Sequence, residues 1–191
     1  MLQNSVKLLA VAVALVFSSS LAIAADKLSS GDQKFIKEAA AGGMLEVQLG
    51  KLAVEKASSQ QVKDFGKRME RDHTKVNTEL KQLASTKNVQ IPTELEGKEK
   101  STYERLSKLS GDRFDREYMQ RMIDDHKEDV SAFQKQADKG DNADVKSFAA
   151  KTLPTLKEHL ELAQSTGQQV GAASQGGLKG FIDKTKDKIK H

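Results

Sequence analysis

The stretch VKDFGKRMERDHTKVNTELKQL, residues 62–83, decides how this chain folds. Val62, Phe65, Met69, His73, Val76, Leu80 and Leu83 recur at steps of three and four, and every position between them is polar, charged or glycine. That is the period of a helix with one buried stripe; a half-buried strand would alternate by two. Periodicity alone therefore places His73 in a core.

The flanking segments repeat the pattern. Ser30-Gly-Asp-Gln33 is a capping sequence opening a first helix to about Ala57, with Phe35, Ile36, Ala39, Gly43, Glu46, Leu49 and Ala53 inward. The quoted helix is the second, opening at Ser58-Ser-Gln-Gln61 and broken between Asn88 and Pro92. Thr93-Glu-Leu-Glu96 offers a cap for a shorter helix carrying Tyr103, Leu106 and Leu109. Ser110-Gly111-Asp112 resets the chain for a third main helix, about Arg113 to Asp138, with Met119, Met122, His126, Val130, Phe133 and Ala137 inward. After the turn at Lys139–Asn142, Asp141 is the expected cap of a fourth carrying Val145, Phe148, Ala149, Leu153, Leu156, His159 and Ala163. Pro154 should bend or split that helix one turn before His159, and Gly167 should end it. The expected fold is all-α: a four-helix bundle with an extra short helix in the long connection between helices two and three. Two prolines and no tryptophan in 191 residues agree with it.

Residues 1–24 read as a secretory signal, with Lys7 in the leader, an apolar run from Leu8 to Phe17, and Ala22-Ile23-Ala24 as the cleavage site. Export to the periplasm or envelope is expected, with the bundle over 25–166. Residues 167–191 form a Gly-rich linker and basic tail, in which Leu178, Ile182 and Ile189 stand among lysines. The formal charge is +4. Lys7 and the tail (five lysines against Asp183 and Asp187) carry that excess, so 25–166 is neutral and no nucleic-acid face is expected. Absence of cysteine excludes disulfides, thiolate sites and a cysteine nucleophile.

His73, His126 and His159 each fall on the apolar stripe of a different helix, directly after Asp72, Asp125 and Glu158. Such a stripe covers ~3/7 of a helix surface, so three histidines would land there by chance in roughly 8% of cases. With Glu46 the chain offers one inward ligand-type side chain per main helix. Counting from the turn near residue 58 puts Glu46 and His73 within ~4.5 Å of one level, whereas His126 and His159 differ by ~7.5 Å about Gly140. Imidazole nitrogen with carboxylate oxygen suits iron, zinc, manganese or copper. Glu46, His73, His126 and His159 are the candidate metal ligands. Glu70, Asp129, Met69 and Met122 form a second tier: Glu70 makes a Glu-x-x-His unit with His73, and each Met precedes its histidine by one turn. Ile123 and Leu156 stand where further Glu-x-x-His units would need acids, so a full di-iron set is absent. The competing reading is three neutral core histidines bonded to neighbouring helices or their acids. Asp72, Asp125 and Glu158 point about 100° away from their histidines and are expected to be solvated or supporting groups. No catalytic triad, phosphate loop or glycosidase pair is readable.

Phe65-Gly-Lys-Arg-Met-Glu-Arg-Asp-His73 aligns without gaps on Tyr118-Met-Gln-Arg-Met-Ile-Asp-Asp-His126, which makes helices two and three look like copies of one unit. From Asp32 to Ala163 the chain, with Glu46-Val-Gln-Leu-Gly50, Asp72-His73, Phe114-Asp115-x-x-Tyr118, His126 and Leu153-Pro154-x-Leu-x-x-His159-Leu, resembles a bacterial family of exported proteins, domain of unknown function 4142, labelled "predicted outer membrane protein". That resemblance implies a ferritin-like, periplasmic four-helix domain whose inward Glu and His residues are candidate metal ligands. Two functional readings follow: metal handling in the envelope, or a non-catalytic scaffold attached to membrane or envelope polymer through residues 178–191.

Overall fold

Ser29 starts the first helix: its Oγ accepts the Asp32 amide at 3.1 Å, giving a partner to one amide the first turn would leave free. The computed structural model describes residues 28–172, so the leader and the basic tail lie outside the described residues. Helix α1 spans Ser30–Lys56, α2 Gln60–Thr86, α3 Gly97–Ser107, α4 Gly111–Lys139 and α5 Ala143–Gln169. The described residues contain no strand. The four main helices and the short one in the long connection are those expected.

Four local expectations are corrected. Asn142, not Asp141, caps α5, its Oδ1 accepting from Asp144 N and Val145 N. Asp141 instead gives its amide to Asp32. Helix α5 runs unbroken through Pro154. It also passes Gly167, which lies within the helix and where a Cβ would stand 2.8 Å from Ile123 Cδ1; the left-handed residue after the helix is Gly171. The short helix starts at Gly97, and its N-cap, Glu96, makes no side-chain capping bond.

Two carboxylates fix the topology. Asp115, near the start of α4, accepts from the amides of Ser58 and Ser59 (3.2 and 2.8 Å) and from Ser58 Oγ (2.7 Å), closing the α1–α2 turn. Asp32, near the start of α1, accepts from the amides of Asp141 and Asn142 (3.3 and 2.9 Å) and from Gln136 Nε2, closing the α4–α5 turn. Each hairpin thus begins beside the other's bend. The order is up, down, down, up, and the 87–110 connection runs the length of the bundle. Along it α3 packs on α1 and α4, burying Leu106 completely. Within the first hairpin the backbones nearly touch: a Cβ on Gly50 would lie 2.6 Å from the Gly66 carbonyl oxygen.

The core is two apolar clusters. One gathers Leu49, Phe65, Met69, Phe114, Met119 and Met122 toward the α1–α2 turn. The other gathers Ile36, Leu80, Phe133, Phe148, Leu153 and Leu156 toward the α4–α5 turn. Between them, in sequence and in space, lie Glu46, His73, His126 and His159, each at most 5% exposed. Burying an apolar side chain contributes ~1.5–3 kcal/mol, so a buried polar layer at that position forgoes stabilisation and calls for a chemical explanation.

Candidate metal centre

Helix α2 brings His73, α4 brings His126 and α5 brings His159, each inward because it occupies an apolar-stripe position. Ring centroids are 5.6 Å apart for His73 and His126, 5.3 Å for His73 and His159, and 5.3 Å for His126 and His159. The ~7.5 Å offset counted between the last two does not keep their rings apart. One ring nitrogen from each histidine lies within 4.8 Å of the others. Bonds of ~2.0–2.1 Å to a tetrahedral ion need nitrogens ~3.3 Å apart, so a sub-rotamer movement of the rings suffices to close on one.

Hydrogen bonds decide which lone pairs point inward. His126 Nδ1–H donates to the Met122 carbonyl at 2.9 Å, which leaves Nε2 unprotonated and without a partner. His159 Nε2–H donates to Asp72 Oδ2 at 3.0 Å, which leaves Nδ1 in the same condition. His73 Nε2 is also buried and unpartnered. Burial, and then the neighbouring rings His126 and His159, drive the His73 pKa well down; burial, with His159, pushes His126 to about 4. His159 is lowered by burial against the opposing pull of Asp72. At neutral pH three uncharged imidazoles crowd together: His126 and His159 each keep an unpartnered lone pair, while no hydrogen bond fixes the tautomer of His73. Each unmade buried hydrogen bond costs ~1–3 kcal/mol, and a cation would satisfy all three lone pairs at once.

Asp72, expected to be a solvated or supporting group, takes the supporting role, on the histidine of another helix. Burial alone would raise its pKa, but hydrogen bonds from Arg71 and His159 and their charges outweigh that and hold it at about 2. It also pairs with Arg68 at 3.3 Å, and Arg68 reaches Glu158 at 2.7 Å. One carboxylate on α2 thus orients the histidine of α5, the supporting arrangement that fixes tautomer and ring in metal sites.

Glu46 lies beside the trio but outside the group of three. Its Oε1 is 3.9 Å from His126 Nδ1, the nitrogen already committed to Met122, so it stands behind that ring. Burial, then the charges of Asp125 and Asp129, raise the Glu46 pKa well above the carboxylate range, and its Oε2 is unpartnered. Asp129 joins it in lining a cleft of about 490 Å³ between α1, α3 and α4. Burial, with Asp125 and Glu128, pushes Asp129 to about 7, and burial raises Asp125 to about 6 despite Arg121. Tyr118, missed by sequence reading, is fully buried with an unpartnered hydroxyl whose pKa is raised by burial and by Glu46. Glu70 turns toward Lys51 at 3.9 Å, with its side chain 39% exposed. Met69 and Met122 are fully buried in the first apolar cluster, as ordinary core fillers are.

An all-helical bundle with a buried three-histidine centre is the class that fold and site define. The model of a domain of unknown function, DUF4142, matches residues 18–166, and the chain belongs to that family. Two solved structures share the fold. One is a DUF305 fragment from Deinococcus radiodurans, 12% identical, covering 74% of this chain and 98% of that one, with a TM-score of 0.64. The other is described as "putative secreted protein DUF305" from Streptomyces coelicolor, 11% identical, covering 74% and 93%, with a TM-score of 0.63. At such identity these likenesses establish the helical bundle alone. No curated protein matches. Among the described residues no helix is long and apolar enough to cross a membrane.

Proposed function

We propose that this protein binds one transition-metal ion in the bundle core through His73, His126 and His159, and serves metal storage, buffering or a redox task in the cell envelope. The observation that carries the reading is the outward bonding of His126 and His159, which leaves an unpartnered nitrogen on each within a trio of buried histidines whose ligand atoms lie within 4.8 Å of one another. Nitrogen ligands favour zinc, copper or iron, with manganese less well served. Glu46 is the nearest carboxylate and would act from behind His126, shaping its charge. Three protein ligands leave a coordination position for water or substrate. Export is supported by the signal-like leader and by the description of the Streptomyces neighbour.

The test is elemental analysis of the protein purified from the periplasm, beside the His73→Ala/His126→Ala variant. About one ion per chain in the first and none in the second is expected; equal metal content in both removes the proposal. The tail at 178–191 is a separate matter. If it attaches the bundle to anionic lipid, the full chain should pellet with anionic liposomes in a salt-sensitive way while a chain ending at Ala172, just past α5, stays in solution.

A further inference from the structure

The repeat in α2 and α4 is copied in space as well as in sequence. Phe65 and Tyr118 meet edge to face at 6.1 Å, Arg68 pairs with Asp72 as Arg121 pairs with Asp125, and the two histidines that follow are 5.6 Å apart. The two copies differ in what surrounds the aspartate. Asp72 collects Arg68, Arg71 and His159. At Asp125 the position matching Arg71 is Asp124, and the neighbour on α1 is Glu46, close enough for the Asp125 charge to act on it. One side of the bundle is therefore neutralised by its own residues, and the matching side has acids at Asp124 and Glu46.

Consequences of that exchange are visible in the cleft. Glu38, Glu46, Glu99, Asp125, Glu128 and Asp129 line it against Lys37, Lys98 and Arg121, in a segment that is neutral as a whole. Lys98 lies 3.7 Å from Glu99, and Arg121 pairs through one Nη with Asp125 while its Nε is buried without a partner. Glu46, 2% exposed, is part of this lining and its Oε2 is buried without a partner, as is Oδ2 of Asp125, whose Oδ1 is paired with Arg121. A buried, unpaired carboxylate is among the most costly groups a core can hold.

We propose that the cleft binds a second cation, a hard divalent ion retaining part of its water shell, through Glu46, Asp125 and Asp129. Oxygen-only donors select magnesium, calcium or manganese(II) over the nitrogen-preferring ions suited to the histidines. Among the described residues only the three histidines form a group with ligand atoms within 4.8 Å, so the carboxylates do not converge on a bare ion. They suit a hydrated one, for which one or two direct carboxylates and several waters are the usual arrangement. Space is ample: six waters occupy ~180 Å³ at ~30 Å³ each, against about 490 Å³ in the cleft. Net negative lining in a walled cleft also concentrates cations locally. This site does not depend on occupancy of the histidine centre.

Manganese(II) alone, added to chelator-stripped full-length protein and followed by loss of its aqueous electron paramagnetic resonance signal, tests the assignment. The His73→Ala/His126→Ala variant should retain one saturable site that excess calcium displaces. Asp125→Asn with Asp129→Asn should weaken that site at least tenfold while zinc retention by the histidines persists. Glu46→Gln, nearly isosteric, gives the same reading should the double aspartate variant fold poorly. No saturable manganese site in the wild type, or a site lost with the histidines and indifferent to Glu46→Gln, overturns the proposal.

Discussion

Asp72 shows how one side chain can govern a centre without entering it. Asp72→Asn keeps the shape but removes the charge that sets the His159 tautomer. Metal affinity should fall ~10–100-fold, as for other supporting-residue changes, with helicity by circular dichroism unchanged; an unchanged affinity in chelator competition would refute that role. Proton competition should be weak, because burial holds His126 at about 4 and lowers His73 and His159 too. Metal should therefore survive dialysis at pH 5.5, where exposed histidines of pKa ~6.5 are mostly protonated. Stability carries two opposed signatures. His126 binds fewer protons folded than unfolded, so its contribution is present above the unfolded value of ~6.5 and is lost as pH falls toward about 4. Asp129, raised to about 7, does the reverse: the folded state holds its proton longer, and stability falls as pH rises through that region. Asp129→Asn should accordingly raise the melting temperature of the metal-free protein at pH 8 and leave it nearly unchanged at pH 4. His73 was legible from the period of its helix, and so was burial of Glu46. The reach of Asp72 across to α5 was not, since adjacent residues on a helix diverge by about 100° and nothing in the local sequence says which neighbour receives the second of them.

Among the elements, α1 and α2 are held by the contact of Gly50 with Gly66, where neither accepts a side chain. Gly50→Ala should cost ~1–3 kcal/mol in a denaturant melt, the usual penalty for overpacking. A neutral result would mean that the helices can part there. The bends depend on Asp115 and Asp32. Asp115→Ala frees the amides of Ser58 and Ser59, while the Ser58 hydroxyl keeps Asp112, and should cost ~1–3 kcal/mol on the scale of buried unpaired groups. Helix count, order and core faces could be read from period and punctuation, because a strict stripe admits one solution. Helix ends were less legible: α5 continues past Gly167, and Asn142 rather than Asp141 caps it, because both side chains are good caps and a one-residue shift in where the helix starts decides which of them reaches the first amides. Pro154 forgoes one hydrogen bond without ending a helix packed on both sides.

At the scale of the molecule, the bundle has a single long crossover between α2 and α4, and its all-helical fold is shared by two solved DUF305 structures. The internal repeat made the histidine centre partly legible, since matched units on two helices imply a shared centre. The acidic cleft was hidden, because it forms where the copies differ and α3 passes alongside. Asp32 and Asp115 also have a meaning for the folding of the whole. Each hairpin lends the other the anion that completes its bend, so neither half holds a finished structure alone. Fragments cut within 87–110 should be unfolded singly and regain helicity when mixed, and amide exchange in α1, α2, α4 and α5 should proceed through one shared opening. The molecule is built as a clasp with a latch at each end, each latch supplied by the opposite hairpin.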